Sequence, residues 1–533
     1  MVGTEKPNTL HYGDCLDILQ RMDAESVDLI YLDPPFNSKT NYNMLFGSET
    51  GEDQAQVKVF EDIWYWHARH EEVYNGLMAR GGTLGNTTEA LMVILGRCGM
   101  MAYLLFMMER LFQMKRVLKK TSSIYLHCDP TASHYLKIVM DAVFGANMFR
   151  NEVIWKRTTS HNDAGRMGAV HDVILFFTAS DTHTWNKQFM PYDEQYVKER
   201  FKHTDADGRK WMDGDLTAKG LSGGGYEYAY KGKQSLWRVP QERMKELDRE
   251  NRLYFTARGG IRIKRYLDEM KGVPLSDVWI DIRPINSQAK ERLGYPTQKP
   301  LALLKRIIRA SSNEGDVVLD PFCGCGTSVD AAEALGRRWI GIDISTLAID
   351  VILERLSNVH GTAILDWIDV TGRPRDVPGA KKLFTRNPFE FERWAVGVLR
   401  GRPNDKQRGD GGSDGTLRFP SQNKNWPNRG IISVKGGATV NPGMVRDLYG
   451  TVEKTGAVMG VLVTLTPPTK GMMQTANEYG LWEDEFTKAT FPKIQIITIA
   501  ELLEGYLPAM PTRLSPYVKA EYSHADTRQE ELL

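Results

Sequence analysis

From Ser26 to Asp33 the chain reads Ser-Val-Asp-Leu-Ile-Tyr-Leu-Asp, a short β-rich run followed by Pro34 and Pro35, which cannot continue a central strand. The pattern predicts a strand that ends at Asp33. Apolar residues then recur at helical spacing from Leu91 to Lys119, and later runs predict a strand at Ser123–His127, a helix over His134–Phe144 and strands near Val153 and Val173–Phe177. After an interruption the alternation resumes: a helix at Pro300–Ser311, a strand at Asp316–Asp320, a Gly-rich turn, a helix at Ser328–Leu335, a strand at Arg338–Asp343 and a helix at Ser345–Leu356. Such alternation predicts an α/β fold with a Rossmann-like, doubly wound sheet and parallel pairing.

The interruption, from about 190 to 292, has a different texture. It carries Asp207-Gly208, Asp213-Gly214, Gly223-Gly224-Gly225, many Tyr and Trp, and an excess of Lys and Arg over Asp and Glu. This is an inserted, loop-rich lobe whose charge suits a polyphosphate partner. Its Tyr226, Tyr228, Tyr230 and Trp237 either serve as wedges for a base pulled from a duplex or form the lobe's own small core.

Around Thr371–Lys382 the chain is polar and broken by Pro and Gly, which reads as a linker. The expected organisation is a first domain over 1–370, a linker over 371–385, a smaller α/β domain over 386–510 and a charged tail over 511–533. In the smaller domain Ile431–Val434, Gly460–Thr464 and Ile494–Ile499 read as strands and Met444–Thr455 as a helix.

Composition narrows the classes. A chain of 533 residues exceeds what one hydrophobic core usually organises, and its formal net charge of +1 neither favours nor excludes a polyanionic partner. The five cysteines are scattered except for Cys323 and Cys325, and no second pair or His cluster completes a zinc site. The apolar stretch Met100–Met114 is interrupted by Glu109 and Arg110 and is too short to cross a bilayer. A soluble, reduced, cytoplasmic protein with no membrane partner is the expectation. No Gly-Lys-Thr or Gly-Lys-Ser phosphate loop is present, so no helicase motor is expected.

Two segments carry candidate chemistry. Asp320-Pro321-Phe322-Cys323-Gly324-Cys325-Gly326-Thr327-Ser328 lies between a predicted strand and helix, where glycines allow a tight turn and close approach of a ligand, and the next strand ends in Asp343. This suits a nucleoside cofactor whose ribose hydroxyls donate to a carboxylate, or else a structural turn in any fold of this kind. No Lys follows the glycines, which argues against a phosphate-binding loop.

Asp33 supplies the other half. An exocyclic base amine is a poor nucleophile because its lone pair is delocalised into the ring. A carboxylate held beside rigid prolines can accept the amine hydrogens and let the nitrogen pyramidalise. Phe36 can stack on a base swung out of the duplex. The alternative is a plain Asp-Pro turn closing a strand.

The two segments together, in this order, resemble the β class of amino-group DNA methyltransferases. Tyr12-Gly13-Asp14-Cys15, His127-Cys128-Asp129, Asn151-Glu152-Val153-Ile154-Trp155 and Thr297-Gln298-Lys299-Pro300 extend the resemblance, which covers roughly residues 9 to 358. It implies S-adenosylmethionine as cofactor, with Asp33, Pro34, Pro35 and Phe36 as the catalytic motif. It implies Asp14, Gln298, Lys299, Pro300, Asp320, Phe322, Gly324, Gly326, Thr327 and Asp343 around the cofactor. Within this class Asp-Pro-Pro with Tyr or Phe usually accompanies adenine and Ser-Pro-Pro the N4 of cytosine, so Asp33 points to adenine. Methylation of RNA or of a protein amide is chemically open, and the basic insertion favours duplex DNA.

The segment from about Pro388 to Leu503 resembles an Mrr-type restriction endonuclease domain, whose active site is an Asp followed by Glu-x-Lys or Gln-x-Lys. Asp414 and Lys435 stand at the matching places, which makes Asp414 a candidate metal ligand and Mg2+ a candidate cofactor. Ser433 stands where the family has Glu or Gln and offers a metal only a weak hydroxyl ligand. An active nuclease, a DNA-binding module without cleavage and an unrelated α/β domain are the alternatives. The whole resembles a restriction and modification protein. Its implied partner is double-stranded DNA, with a second copy of the chain and a separate restriction subunit as further candidates.

Overall fold

The computed structural model describes residues 8–35, 41–46, 55–61, 64–158, 167–218, 224–286, 289, 291–293, 295, 298–404, 412–420, 428–485 and 487–511. Phe36, Thr297 and the tail from 512 lie outside the described residues.

Among the described residues, nine strands form the main sheet: β1 (Asn8–Tyr12), β2 (Val27–Leu32), β3 (Leu118–Cys128), β4 (Phe149–Lys156), β5 (His171–Thr178), β6 (Val278–Trp279), β7 (Val317–Asp320), β8 (Arg338–Asp343) and β9 (Ile368–Thr371). They lie in the order β6-β4-β5-β3-β2-β7-β8-β1-β9. The α/β class and the largely parallel sheet are as the alternation predicts. Leu29, Ile30 and Leu32 of β2 are fully buried, as expected of a strand covered on both faces. Pairing departs from expectation at one strand: β5 runs antiparallel to both β3 and β4. A parallel neighbour requires a crossover of a dozen residues or more, usually a helix, and no helix is described between β4 and β5.

The helical pattern read as one element from Leu91 to Lys119 is two, Gly82–Leu95 and Gly99–Val117, and its end from Leu118 belongs to β3. Gly96 stands between the helices at φ +67°, a left-handed stop that glycine adopts without steric cost. Eleven of the 19 residues of the second helix are buried, from Met101 through Met107, Leu111 and Met114 to Val117. No described helix is long and apolar enough to cross a membrane.

Lys187–Ser276 is a compact unit of its own. Its four-stranded sheet has the order Leu253–Phe255, Ile261–Tyr266, Lys210–Asp215, His203–Thr204. Trp237 is buried with Leu216, Met244, Leu247 and Leu253, and Tyr228 and Tyr230 pack against that cluster. The Tyr228 hydroxyl donates to the Val239 carbonyl at 2.8 Å. Three of the four aromatics singled out in the sequence are therefore core, whereas Tyr226 is 51% exposed.

The carboxyl-terminal portion has its own five-stranded sheet: β10 (Arg402–Pro403), β11 (Gly415–Phe419), β12 (Asn428–Lys435), β13 (Met459–Thr464) and β14 (Ile494–Thr498), in that order. β12, β13 and β14 are parallel. Where the sequence reads as linker there is a helix, Val377–Arg386. Asp376 caps it by accepting from the Gly379 amide at 2.7 Å, Pro378 sits in the first turn, where its missing N–H costs nothing, and Ala380 and Leu383 are buried. A second helix, Pro388–Val398, follows directly, capped by Asn387.

Candidate active site

β2, β7, β8 and β1 are adjacent and parallel, so their carboxyl ends share one edge of the sheet. Each is closed or directly followed by an aspartate: Asp33 after β2, Asp320 and Asp343 ending β7 and β8, and Asp14 two residues after β1. This edge, outside the strand ends, is where open α/β sheets bind ligands. A cavity of about 380 Å³ opens there, and all four aspartates line it. Trp64, Phe106, Phe322 and Tyr295 supply much of its apolar wall.

Among the described residues, Asp33 is held from one side only. Its Oδ2 accepts from the Lys299 ammonium at 2.5 Å, while its Oδ1 is buried without a hydrogen-bond partner. Pro34 is buried and Pro35 lines the cavity. Behind them the Tyr31 hydroxyl meets His127 Nδ1 at 2.9 Å, and His127 Nε2 meets Asp172 at 3.2 Å, all three side chains being buried. This network fixes the strand end that carries Asp33.

The loop after β7 wraps on itself. Asp320 accepts from the Phe322 amide at 3.0 Å and from the Ser328 hydroxyl. Burial pushes the Asp320 carboxyl up to about 7, against the opposing pull of those hydrogen bonds. Gly326 has φ +75°, and a Cβ there would lie 2.7 Å from Ile352. Only glycine suits both the backbone and the space. Gly324 has φ +52° and donates its amide to Asp343 at 2.9 Å. Phe322 packs against Phe106 with centroids 6.2 Å apart. The Thr327 hydroxyl accepts from Arg355 at 3.1 Å, which ties the start of the next helix to the core.

Asp343 also accepts from the Ser345 amide at 2.8 Å, and burial pushes its carboxyl up to about 7. Asp14 caps the first helix through the Leu16 amide and receives the Arg110 guanidinium at 2.7 and 2.9 Å. Gln298 lines the cavity, but its amide is engaged with the backbone of Glu291 and Leu293. Pro300 caps the helix Leu301–Ser311 and lies just beyond the residues that form the cavity wall. Cys323 and Cys325 are buried free thiols, and no metal-binding cluster exists among the described residues.

Several cavity residues escape the motifs. Arg110 is one, although a charge inside the apolar run Met100–Met114 is itself a signal that it has a buried partner. Asn387, Glu390 and Arg393, from the far carboxyl-terminal portion, are others. Nothing local in the sequence marks these three.

In the carboxyl-terminal portion, the Lys435 ammonium lies 3.7 Å from Asp414 Oδ2. That Oδ2 also accepts from the Val434 amide at 2.6 Å and the Ser433 hydroxyl at 3.2 Å. Asp414 thus fastens β12 to the preceding turn. No group of three or more His, Cys, Asp or Glu side chains able to hold a metal gathers around it among the described residues.

Residues 27–354 match the DNA methylase family model N6_N4_Mtase, and residues 390–504 match a model described as NACHT-associated inactive restriction endonuclease. The chain is 28% identical over 357 residues to the type II methyltransferase M.EcaI of Enterobacter cloacae, covering 66% of this chain and 70% of that protein. It is 31% identical over 400 residues to the Mod subunit of the type III restriction-modification enzyme StyLTI of Salmonella typhimurium, covering 70% of this chain and 57% of that protein. It is 24% identical over 356 residues to the DNA adenine methyltransferase YhdJ of Escherichia coli, covering 66% of this chain and 84% of that protein. The segment from β2 to the helix after β8, which contains the Asp33, Asp320 and Asp343 strand ends, is the matched region, and the chain belongs to the N6/N4 DNA methylase family.

Proposed function

We propose that the chain transfers a methyl group from S-adenosylmethionine to the N6 amine of adenine in double-stranded DNA, with Asp33 as the residue that activates the amine. The observation that carries this is the buried, unpartnered Oδ1 of Asp33 in the wall of the cavity. A buried acceptor without a donor is costly, and an amine N–H entering the site supplies the missing donor.

The cavity suits the cofactor by its chemistry. Carboxylates at Asp343 and Asp14 can accept from ribose and adenine, the wall of Trp64, Phe106 and Phe322 can hold an adenine ring, and the volume falls in the usual range for small-molecule sites. When bound, S-adenosylmethionine supplies an electrophilic methyl group on a sulfonium. The chain does the rest. Lys299 orients the Asp33 carboxylate, Pro34 and Pro35 keep its strand end rigid, and Asp33 accepts the amine hydrogens so that the nitrogen lone pair is directed away from the ring. Phe36, as the next residue of the motif, is the candidate to stack on the flipped base. An Asp rather than a Ser at this place, and the likeness to YhdJ, favour adenine over cytosine N4.

The lobe over Lys187–Ser276 is the candidate for target recognition, with its Lys and Arg excess directed at phosphates. For the carboxyl-terminal domain we favour a role in holding DNA or a partner without cleavage, because Ser433 replaces an acidic ligand and the family model that matches 390–504 is described as inactive. The likeness to type II and type III modification enzymes supports a role in restriction and modification, with a separate restriction subunit as a candidate partner. Homodimer formation remains a candidate arrangement on DNA.

The test is transfer of labelled methyl from S-adenosylmethionine to unmethylated duplex DNA, followed by digestion to nucleosides. Label in N6-methyladenine that disappears with Asp33→Ala supports the proposal, whereas label in N4-methylcytosine or in no nucleoside contradicts it.

A further inference from the structure

The helix Pro388–Val398 opens the carboxyl-terminal portion, yet Asn387, Glu390 and Arg393 from its first turns line the same cavity as Asp14, Asp33, Asp320 and Asp343. Glu390 is fixed from two directions. Its Oε2 accepts from the Tyr12 hydroxyl at 3.2 Å, and its Oε1 accepts from Arg393 at 3.0 Å. Tyr12 is the register partner of Asp343 across β1 and β8, so the contact brings Glu390 to the Asp343 end of the cavity. Burial is the main cause of the raised Asp343 carboxyl, and the charge of Glu390 adds to it, as expected for two acids facing one space. Arg393 is mostly buried there, with 18% of its side chain exposed.

Two carboxylates at one end of a cavity are unfavourable unless donors lie between them. Each oxygen of Asp343 accepts one amide, which leaves lone-pair capacity on both. A ribose diol offers two O–H donors to such a pair.

We propose that the first helix of the carboxyl-terminal domain completes the cofactor site, with Glu390 as a second carboxylate beside Asp343 for the ribose hydroxyls of the adenosyl group. This rests on the reading of the cavity as an S-adenosylmethionine site. Its consequence is reciprocal: a helix that adds to cofactor affinity is itself held by the cofactor. The carboxyl-terminal domain then reports whether the methyltransferase half is loaded.

The experiment uses the full chain and S-adenosylhomocysteine as probe, with calorimetric titration and hydrogen–deuterium exchange of residues 388–398. Saturating probe slows exchange in that segment, and Glu390→Ala weakens binding by at least about fivefold, about 1 kcal/mol. The loss shrinks for an analogue lacking both ribose hydroxyls, which a merely structural defect would not produce. Unchanged exchange in wild-type protein, or affinity of the variant within about twofold of wild type, overturns the proposal. Glu390→Gln keeps an acceptor for Tyr12 and serves if the alanine variant fails to fold. Asp343→Ala separates the two levels: if it too binds normally, the cofactor reading of the cavity fails, and if it alone loses binding, only the role of Glu390 fails.

Discussion

Lys299 holds one oxygen of Asp33 at 2.5 Å and leaves the other buried and unpartnered, so a single carboxylate is both anchored and available. The two residues are 266 positions apart in the chain and meet only because β2 and the segment before the helix Leu301–Ser311 converge on one sheet edge.

This pairing predicts a split between chemistry and binding. Asp33→Asn keeps the shape but replaces a charged acceptor, and should lower kcat by roughly a hundredfold or more while cofactor affinity changes little. Single-turnover transfer and calorimetry on the same preparation measure both. Equal losses in the two would mean that Asp33 belongs to cofactor binding.

Asp320 and Asp343 give a pH signature. Burial raises both from an ordinary 3.8 to about 7. The folded state therefore binds these protons more tightly than the unfolded state. The resulting stabilisation is full below about pH 4 and is lost as pH rises through 7, with a slope for one group of at most about 1.4 kcal/mol per pH unit. Asp343→Asn cannot ionise, so its melting temperature should fall less than that of wild type between pH 5 and 8. Parallel curves for the two proteins would refute the assignment.

Gly326 tests the loop. Alanine there meets Ile352 at 2.7 Å and must adopt φ +75°, so Gly326→Ala should destabilise the protein by about 1–3 kcal/mol. Denaturant unfolding measures this. Wild-type stability would show that the loop has room to shift.

For the carboxyl-terminal domain, Lys435→Ala should leave methylation unchanged, and neither variant nor wild type should produce magnesium-dependent ends in supercoiled DNA. Fragment-end mapping with and without Mg2+ reads this. Ends that vanish with Lys435→Ala would restore the nuclease reading.

Much of the fold is legible because its strands and turns are written locally. Asp33 before two prolines and Asp320 before a Gly-rich turn mark strand ends by residues that cannot continue a strand. Strand direction is not written this way, since the apolar run of β5 is the same whichever way it pairs, and only the lack of a described crossover helix separates the cases. The helix break at Gly96 was hidden by apolar spacing on both sides. The Asp376 cap and Pro378 in a first turn show how a stretch rich in Pro and Gly can begin a helix rather than a linker. In the cavity, the aspartates at strand ends come from motifs, whereas Glu390 arrives from a helix whose sequence describes only its own core face through Phe391 and Trp394.

Single-molecule sequencing of unmethylated genomic DNA after incubation with the full chain and S-adenosylmethionine decides whether adenine is the methylated base. N6-methyladenine should be confined to one sequence context and absent with Asp33→Ala. N4-methylcytosine in that context, or no modified base at all from folded protein that binds the cofactor, would contradict methyl transfer to adenine.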